Sequence, residues 1–192
     1  MTDQPTPQII HFEDSARLEA WLADHYGVQC GIWVKIAKKN SGVASVTHPE
    51  ALDVALCHGW IDGQRKSCDD TYYLQKFTPR RARSLWSKVN IRKAEGLVAA
   101  GRMREPGFAE ILAAKADGRW DAAYESQRDS TTPPDLAAAL ERNQAARDSF
   151  EQLGKTDKYT VILRLLRART PGARAAQLQR MITLMEAGLQ VR

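Results

Sequence analysis

The hydrophobic positions of this chain change their spacing several times in the first half and settle to a single spacing in the second. Residues 8–12 read as a short strand. Asp14 and Ser15 can cap a helix running to about Tyr26, which sets Leu18, Trp21, Leu22 and Tyr26 on one face before Gly27 stops it. Residues 31–38 alternate, with Ile32, Val34 and Ile36 on one side, as a half-buried strand does. Thr47-His48-Pro49-Glu50 is a capping box: Thr47 can accept from the Glu50 amide while Glu50 reaches back. The helix it opens ends near Gly59. Residues 60–66 and 71–77 then read as two strands, and the polar residues 67–70 between them predict an antiparallel hairpin. Helices follow over 88–100 and 108–115, with Glu105-Pro106-Gly107 read as a break.

Beyond residue 128 the pattern is helical throughout. Residues 128–134 are polar and contain proline, which predicts a linker between an α+β domain over 1–127 and a helical subdomain over 135–192. The subdomain reads as a helix over 135–153, interrupted near Asn143, and two more over 157–169 and 171–187. Thr156 and Thr170 are the expected N-caps, and Gly188 the stop. The fold class is therefore α+β: a small antiparallel sheet flanked by helices, followed by an all-helical C-terminal bundle. The strands are too few and too tightly connected for a doubly wound parallel sheet.

The 192 residues are 43% hydrophobic, enough to bury a substantial core. The first residues have neither a basic nor an apolar signal region, and no apolar run approaches the roughly 20 residues of a membrane span. Three scattered cysteines, Cys30, Cys57 and Cys68, suit a reducing compartment. The expectation is a soluble cytoplasmic protein. Oligomeric state is not legible.

Several long stretches resemble one family. Residues 56–64 (LCHGWIDGQ), 73–81 (YLQKFTPRR), 84–90 (SLWSKVN) followed by Gly101-Arg102-Met103, the stretch 113–124 around Asp117-Gly118-Arg119-Trp120-Asp121, and the helical tail 135–188 are similar to the YdeI/OmpD-associated, or bacteriocin-protection, family. The resemblance runs from about Trp33 to Gly188. It implies a role in tolerance of bacteriocins and antimicrobial peptides, and it implies no particular reaction or catalytic residue.

Charge adds a candidate surface. The net charge is +5, yet residues 71–94 hold no Asp or Glu and carry +7, from Lys76, Arg80, Arg81, Arg83, Lys88, Arg92 and Lys93. Tyr72, Tyr73, Phe77 and Trp86 are interleaved with them. Guanidinium forks suit phosphates and carboxylates, and aromatic faces can stack on bases. The plainer reading is a hairpin with aromatics inside and charges solvated or paired with the acidic stretch 105–151. Asp62, between Trp60 and Gly63, could hold a ligand or pair with Arg80 or Arg81, or simply satisfy a strand edge. The candidate anion surface is Trp60, Asp62, Lys76, Arg80, Arg81, Arg83, Trp86, Lys88 and Asn90. The basic tail residues Lys158, Arg164, Arg167, Arg169, Arg174 and Arg180 form a second positive stripe, which more simply is the solvated side of a helical bundle.

Cys57-His58 does not make a nucleophile. Adjacent helical residues point about 100° apart, and a helix C-terminus with Asp53 one turn away disfavours a thiolate. The histidines and cysteines have no metal-ligand spacing, and no phosphate loop or nucleophile elbow is present. No cofactor is expected. Three functions remain open: a non-enzymatic protection factor that binds an anionic small molecule or an acidic protein, a nucleic-acid-binding module using residues 71–94, and an enzyme with its site near Asp62.

Overall fold

The computed structural model describes residues 6–168 and 170–189; Arg169 of the basic tail lies outside them. The chain divides into two compact units, one of residues up to Trp86 with Asn90–Ala122, the other of Ser87–Val89 with the residues from Ala123 onward.

The first unit holds β1 (Gln8–His11), α1 (Ser15–His25), β2 (Ile32–Ala37), α2 (His48–Cys57), β3 (Trp60–Ser67) and β4 (Tyr72–Pro79). The helix α3 (Lys88–Ala99) starts in the three-residue segment of the second unit and continues in the first, where α4 (Glu105–Ala116) follows. The sheet order is β1-β2-β4-β3. Three strands are antiparallel, as the hairpin pattern predicts. The edge strand β1 differs, running parallel to β2 with Gln8 opposite Ile32 and His11 opposite Lys35. The cause is the connection: a helix between two neighbouring strands returns the chain in the same direction, whereas a tight turn reverses it. The fold is α+β with a mixed sheet.

Alternation builds the core. Ile32, Val34 and Ile36 of β2 and Phe77 of β4 are buried on one face of the sheet, together with Leu18 and Leu22 of α1 and Leu52, Ala55 and Leu56 of α2. Trp60 is fully buried, and its indole N–H donates to the carbonyl of Tyr26 at 2.7 Å. The capping box of α2 forms as its sequence predicts, with the Glu50 carboxylate accepting from the Thr47 amide at 2.9 Å. β3 carries a bulge between Asp62 and Arg65. The buried Gln75 braces it, donating to the carbonyls of Gly63 (2.9 Å) and Gln64 (3.3 Å).

Glu105-Pro106-Gly107 is not a break but the first turn of α4, where proline is tolerated because its amide needs no partner. Gly107 is there for contact. A Cβ at this position would collide with Met103 Sδ and with the carbonyl oxygens of Cys57 and Leu56, because α4 packs directly on the end of α2. Helix propensity alone would make Gly107→Ala stabilising by roughly 1 kcal/mol. The packing reverses the sign: we expect a loss of about 1–3 kcal/mol, measured by chemical denaturation, and a gain in stability would contradict this packing.

The second unit contains α5 (Pro134–Glu141), α6 (Gln144–Gln152), α7 (Lys155–Arg167) and α8 (Pro171–Glu186). Leu136, Leu140, Phe150, Val161, Leu165, Met181 and Met185 form its core. Asn143 interrupts the α5–α6 stretch as its position suggests, its side chain accepting from the Ala146 amide at 3.0 Å. Thr170 caps α8. Thr156, expected to cap α7, instead lies inside its first turn: Gly154 occupies the N-cap, and the Thr156 hydroxyl accepts from Gln127 Nε2 at 3.2 Å. Arg174 ties the bundle together. It donates to both oxygens of Asp135 (2.6 and 3.0 Å) and to the Leu165 carbonyl near the end of α7 (3.2 Å). The hydrogen bond from Arg174 holds the Asp135 carboxyl below its usual range.

Candidate functional site

The residues of the basic stretch differ in exposure. Trp60 and Trp86 are fully buried, and Arg80 is buried. The Arg80 guanidinium lies over Trp86, 3.7 Å from its ring centroid, and donates to the Leu85 carbonyl at 3.0 Å. Trp120 packs against Trp86 in a tilted arrangement, 4.9 Å between centroids and 57° between planes, with the Lys115 ammonium 5.2 Å from the centroid of Trp120. Arg119, also buried, completes this group: its guanidinium donates to both oxygens of Asp117 (2.8 and 2.7 Å) and to the Ser84 carbonyl (3.0 Å). Burial raises the nearby Glu110 carboxyl above its ordinary value, against the pull of Arg80 and Arg119. Through the Leu85 and Ser84 carbonyls the two arginines hold the loop between β4 and α3.

The other expected residues scatter. Arg81 and Arg83 are exposed on that loop. Asn90 is half-buried in α3. Lys88 belongs to the second unit, where its ammonium pairs with Glu125 at 2.6 Å and its amide donates to the Tyr124 carbonyl at 2.8 Å. Lys93 pairs with Asp53 at 2.6 Å. Asp62 meets a partner the sequence did not suggest: His48 Nε2 lies 3.1 Å from its Oδ2. His48 opens α2 and borders a hollow of about 450 Å³ shared with Lys38, Ser45 and Tyr73. Nothing in the sequence pairs residues 48 and 62, which sit on different elements.

Lys76 is the residue of the set that leads to a surface. The strand register puts Ile9, Trp33 and Lys76 in one row across the sheet. The next row on the same face is His11, Lys35, Leu74 and Lys66, and the next contains Ala37 and Tyr72. Every one of these side chains is exposed or half-buried, whereas the opposite face carries the buried Ile32, Val34, Ile36, Gln75 and Phe77. Cations stand over the rings of this open face. Lys66 and Lys76 place their ammonium groups 4.6 and 5.8 Å from the centroid of Trp33. Lys35 lies 4.1 Å from the centroid of Tyr72, and His11 meets the same ring edge-on at 5.6 Å. Asp69, in the β3–β4 turn, borders the face, its Oδ2 3.6 Å from the Lys35 ammonium. Its carboxyl is held low first by the backbone amide of Tyr72.

Chemically, the face offers positive charge and flat apolar rings at strand spacing. Trp33 and Tyr72 are four residues apart along paired strands, roughly 13 Å at about 3.3 Å per residue. An exposed cation–π contact is worth only about 0.5–1 kcal/mol, so a lysine can leave its ring for a phosphate and free the ring for stacking. The sequence hides this face because half of it, Trp33, Lys35 and Lys66, lies outside the acid-free stretch.

Cys57 behaves as its position suggests. It is buried, and burial pushes its thiol up to about 11. Among the described residues, no group of three or more His, Cys, Asp and Glu side chains is placed to hold a metal ion, and no helix is long and apolar enough to cross a membrane.

Comparison with protein families gives two matches. Residues 10–110 match the model of a domain of unknown function, DUF8412. Residues 129–188 match the family described as bacteriocin-protection, YdeI or OmpD-associated. Comparison with curated proteins and with solved structures gives no match. The family match thus falls on the helical tail, while the stretches around residues 56–64 and 73–81 lie in the first domain. The first model spans more than half of the 192 residues, so the chain belongs to the DUF8412 family, and its C-terminal helices are similar, over residues 129–188, to the bacteriocin-protection, YdeI/OmpD-associated family.

Proposed function

We propose that this protein acts by binding rather than by catalysis, and that its ligand is a single-stranded nucleic acid laid across the open face of the sheet. One observation carries the reading: three lysines, Lys35, Lys66 and Lys76, stand over two aromatic rings, Trp33 and Tyr72, on a face whose side chains are not buried. Ammonium groups track phosphates, and rings of any base can stack on an indole or phenol, which gives affinity without sequence preference. A duplex would present its bases to neither ring. Acting in the cytoplasm, such a factor would contribute to bacteriocin tolerance, the role in the name of its C-terminal domain, through nucleic acid and not through contact with the peptide.

The test is a titration at low salt with a fluorescent single-stranded oligonucleotide of about ten nucleotides, the same sequence as a duplex, and polyglutamate of matched charge. Preferential binding of the single strand is expected. Polyglutamate binding as tightly would move the reading to an acidic protein as partner, and absence of binding to the oligonucleotide would end it.

A further inference from the structure

The second unit carries a hollow of about 670 Å³ of its own. Its floor is apolar, formed by the buried Phe150 and Ile162 and the ring of Tyr159. Its rim is cationic: Arg128, Lys155 and Lys158 all line it, and no carboxylate does. Hydroxyls of Ser130 and Thr132 add neutral donors. The nearby acids are engaged or set apart. Glu125 pairs with Lys88 at 2.6 Å, Asp129 accepts from the Ser126 hydroxyl at 2.7 Å, and Asp157 lies in the first turn of α7 without lining the hollow.

Two of these lysines sit where helix physics disfavours them. Lys155 opens α7 and Lys158 follows one turn on, at the end of the helix that carries partial positive charge. The N-cap is Gly154, which brings no side-chain oxygen to the first amides. Lysines in the first turn, beside amides without a side-chain cap, work against local stability, and Asp157 in the same turn offsets this only in part. Lys158 is further held over an aromatic ring, 5.6 Å from the centroid of Phe150, which keeps its ammonium at the border between the apolar floor and the rim. Tyr159 is fixed by its hydroxyl, which donates to the Glu125 carbonyl at 2.9 Å, and burial pushes that hydroxyl up to about 12, so it stays neutral. An apolar floor with a few convergent polar groups and this volume is the usual form of a small-molecule site.

We propose that this hollow binds an organic anion with a compact apolar body: an aromatic or branched-chain carboxylate or phosphate ester, its ring on Phe150 and Ile162 and its charged head between Arg128, Lys155 and Lys158. Most of its lining, from Ser130 to Ile162, lies within the residues that match the bacteriocin-protection family.

The test uses the full chain and four probes in isothermal titration: 4-phenylbutyrate, phenyl phosphate, the neutral 4-phenylbutyramide and inorganic phosphate. Both aromatic anions are expected to bind, with the amide and inorganic phosphate each at least tenfold weaker. Lys155→Ala/Lys158→Ala is expected to weaken the anions tenfold or more while far-ultraviolet circular dichroism and the thermal midpoint stay near wild type. Lys66→Ala/Lys76→Ala, on the sheet of the first unit, is expected to leave these affinities unchanged. The proposal is overturned by equal affinity for acid and amide, by no binding of either aromatic anion, or by loss of binding in the sheet variant.

Discussion

Trp86→Ala is expected to lower stability by about 3–5 kcal/mol, the range for emptying a buried tryptophan site. The loss is large for two reasons. The side chain is 1% exposed and fills the space between the Arg80 guanidinium and the Trp120 ring. Removing it also takes away the ring face on which the buried Arg80 guanidinium rests, a cation–π contact worth about 2 kcal/mol when desolvated. Trp86→Phe separates these contributions. The indole N–H of Trp86 meets no acceptor among the described residues, so exchanging indole for phenyl sacrifices packing but no hydrogen bond. Its expected cost is well below that of alanine. Urea denaturation of the three proteins measures this, and a Trp86→Ala loss under about 1 kcal/mol would contradict the buried stack. The same cluster changes how binding should be tested. The arginine pair Arg80 and Arg81 is the obvious target from the sequence, but Arg80→Ala would perturb folding, whereas Arg81→Ala at an exposed loop position should stay within about 0.5 kcal/mol.

Trp33→Ala is expected to weaken binding of a single-stranded oligonucleotide by roughly 5- to 150-fold, corresponding to the ~1–3 kcal/mol that one base–aromatic stack contributes. The position is favourable for a clean measurement. Trp33 lies on the open face and is half-buried, while its strand neighbours Ile32 and Val34 carry the core. Its replacement removes the ring on which Lys66 and Lys76 converge but leaves the lysines themselves. Trp33→Phe should recover most of the affinity, because a phenyl ring still stacks. Fluorescence anisotropy of a labelled oligonucleotide reads both variants. Equal affinities for wild type and Trp33→Ala would remove stacking from the mechanism and leave charge alone.

Periodicity and caps made most elements of the chain legible. The capping box at Thr47, the alternation of Ile32, Val34 and Ile36 and the cap at Thr170 are local signals, and each is realised locally. What the sequence concealed is non-local. The parallel pairing of β1 depends on where α1 returns the chain. Gly107 resembles punctuation until α2 is placed against it. The candidate surface is the least local of these readings, because a run of positive charge along the chain does not say which charges share a face. Arg80 turned inward onto Trp86, Lys88 and Lys93 found carboxylates, and of the nine expected surface residues only Lys76 reached the open sheet face. Of its neighbours there, Lys66 comes from the predicted hairpin, but Trp33 and Lys35 come from β2, whose pairing with β4 no spacing rule in the sequence encodes. His48 beside Asp62 is concealed for the same reason.

The most direct test of the sheet as a nucleic-acid surface is the salt dependence of oligonucleotide affinity, measured for the wild type and for Lys66→Ala/Lys76→Ala. Each phosphate neutralised on a single strand contributes about −0.7 to the slope of log K against log salt concentration. Three lysines in contact therefore give a slope near −2, and the double variant, with Lys35 remaining, a slope of roughly −0.7. That pair of slopes is the expected result. A wild-type slope near zero, or an unchanged slope in the variant, would contradict binding at this face.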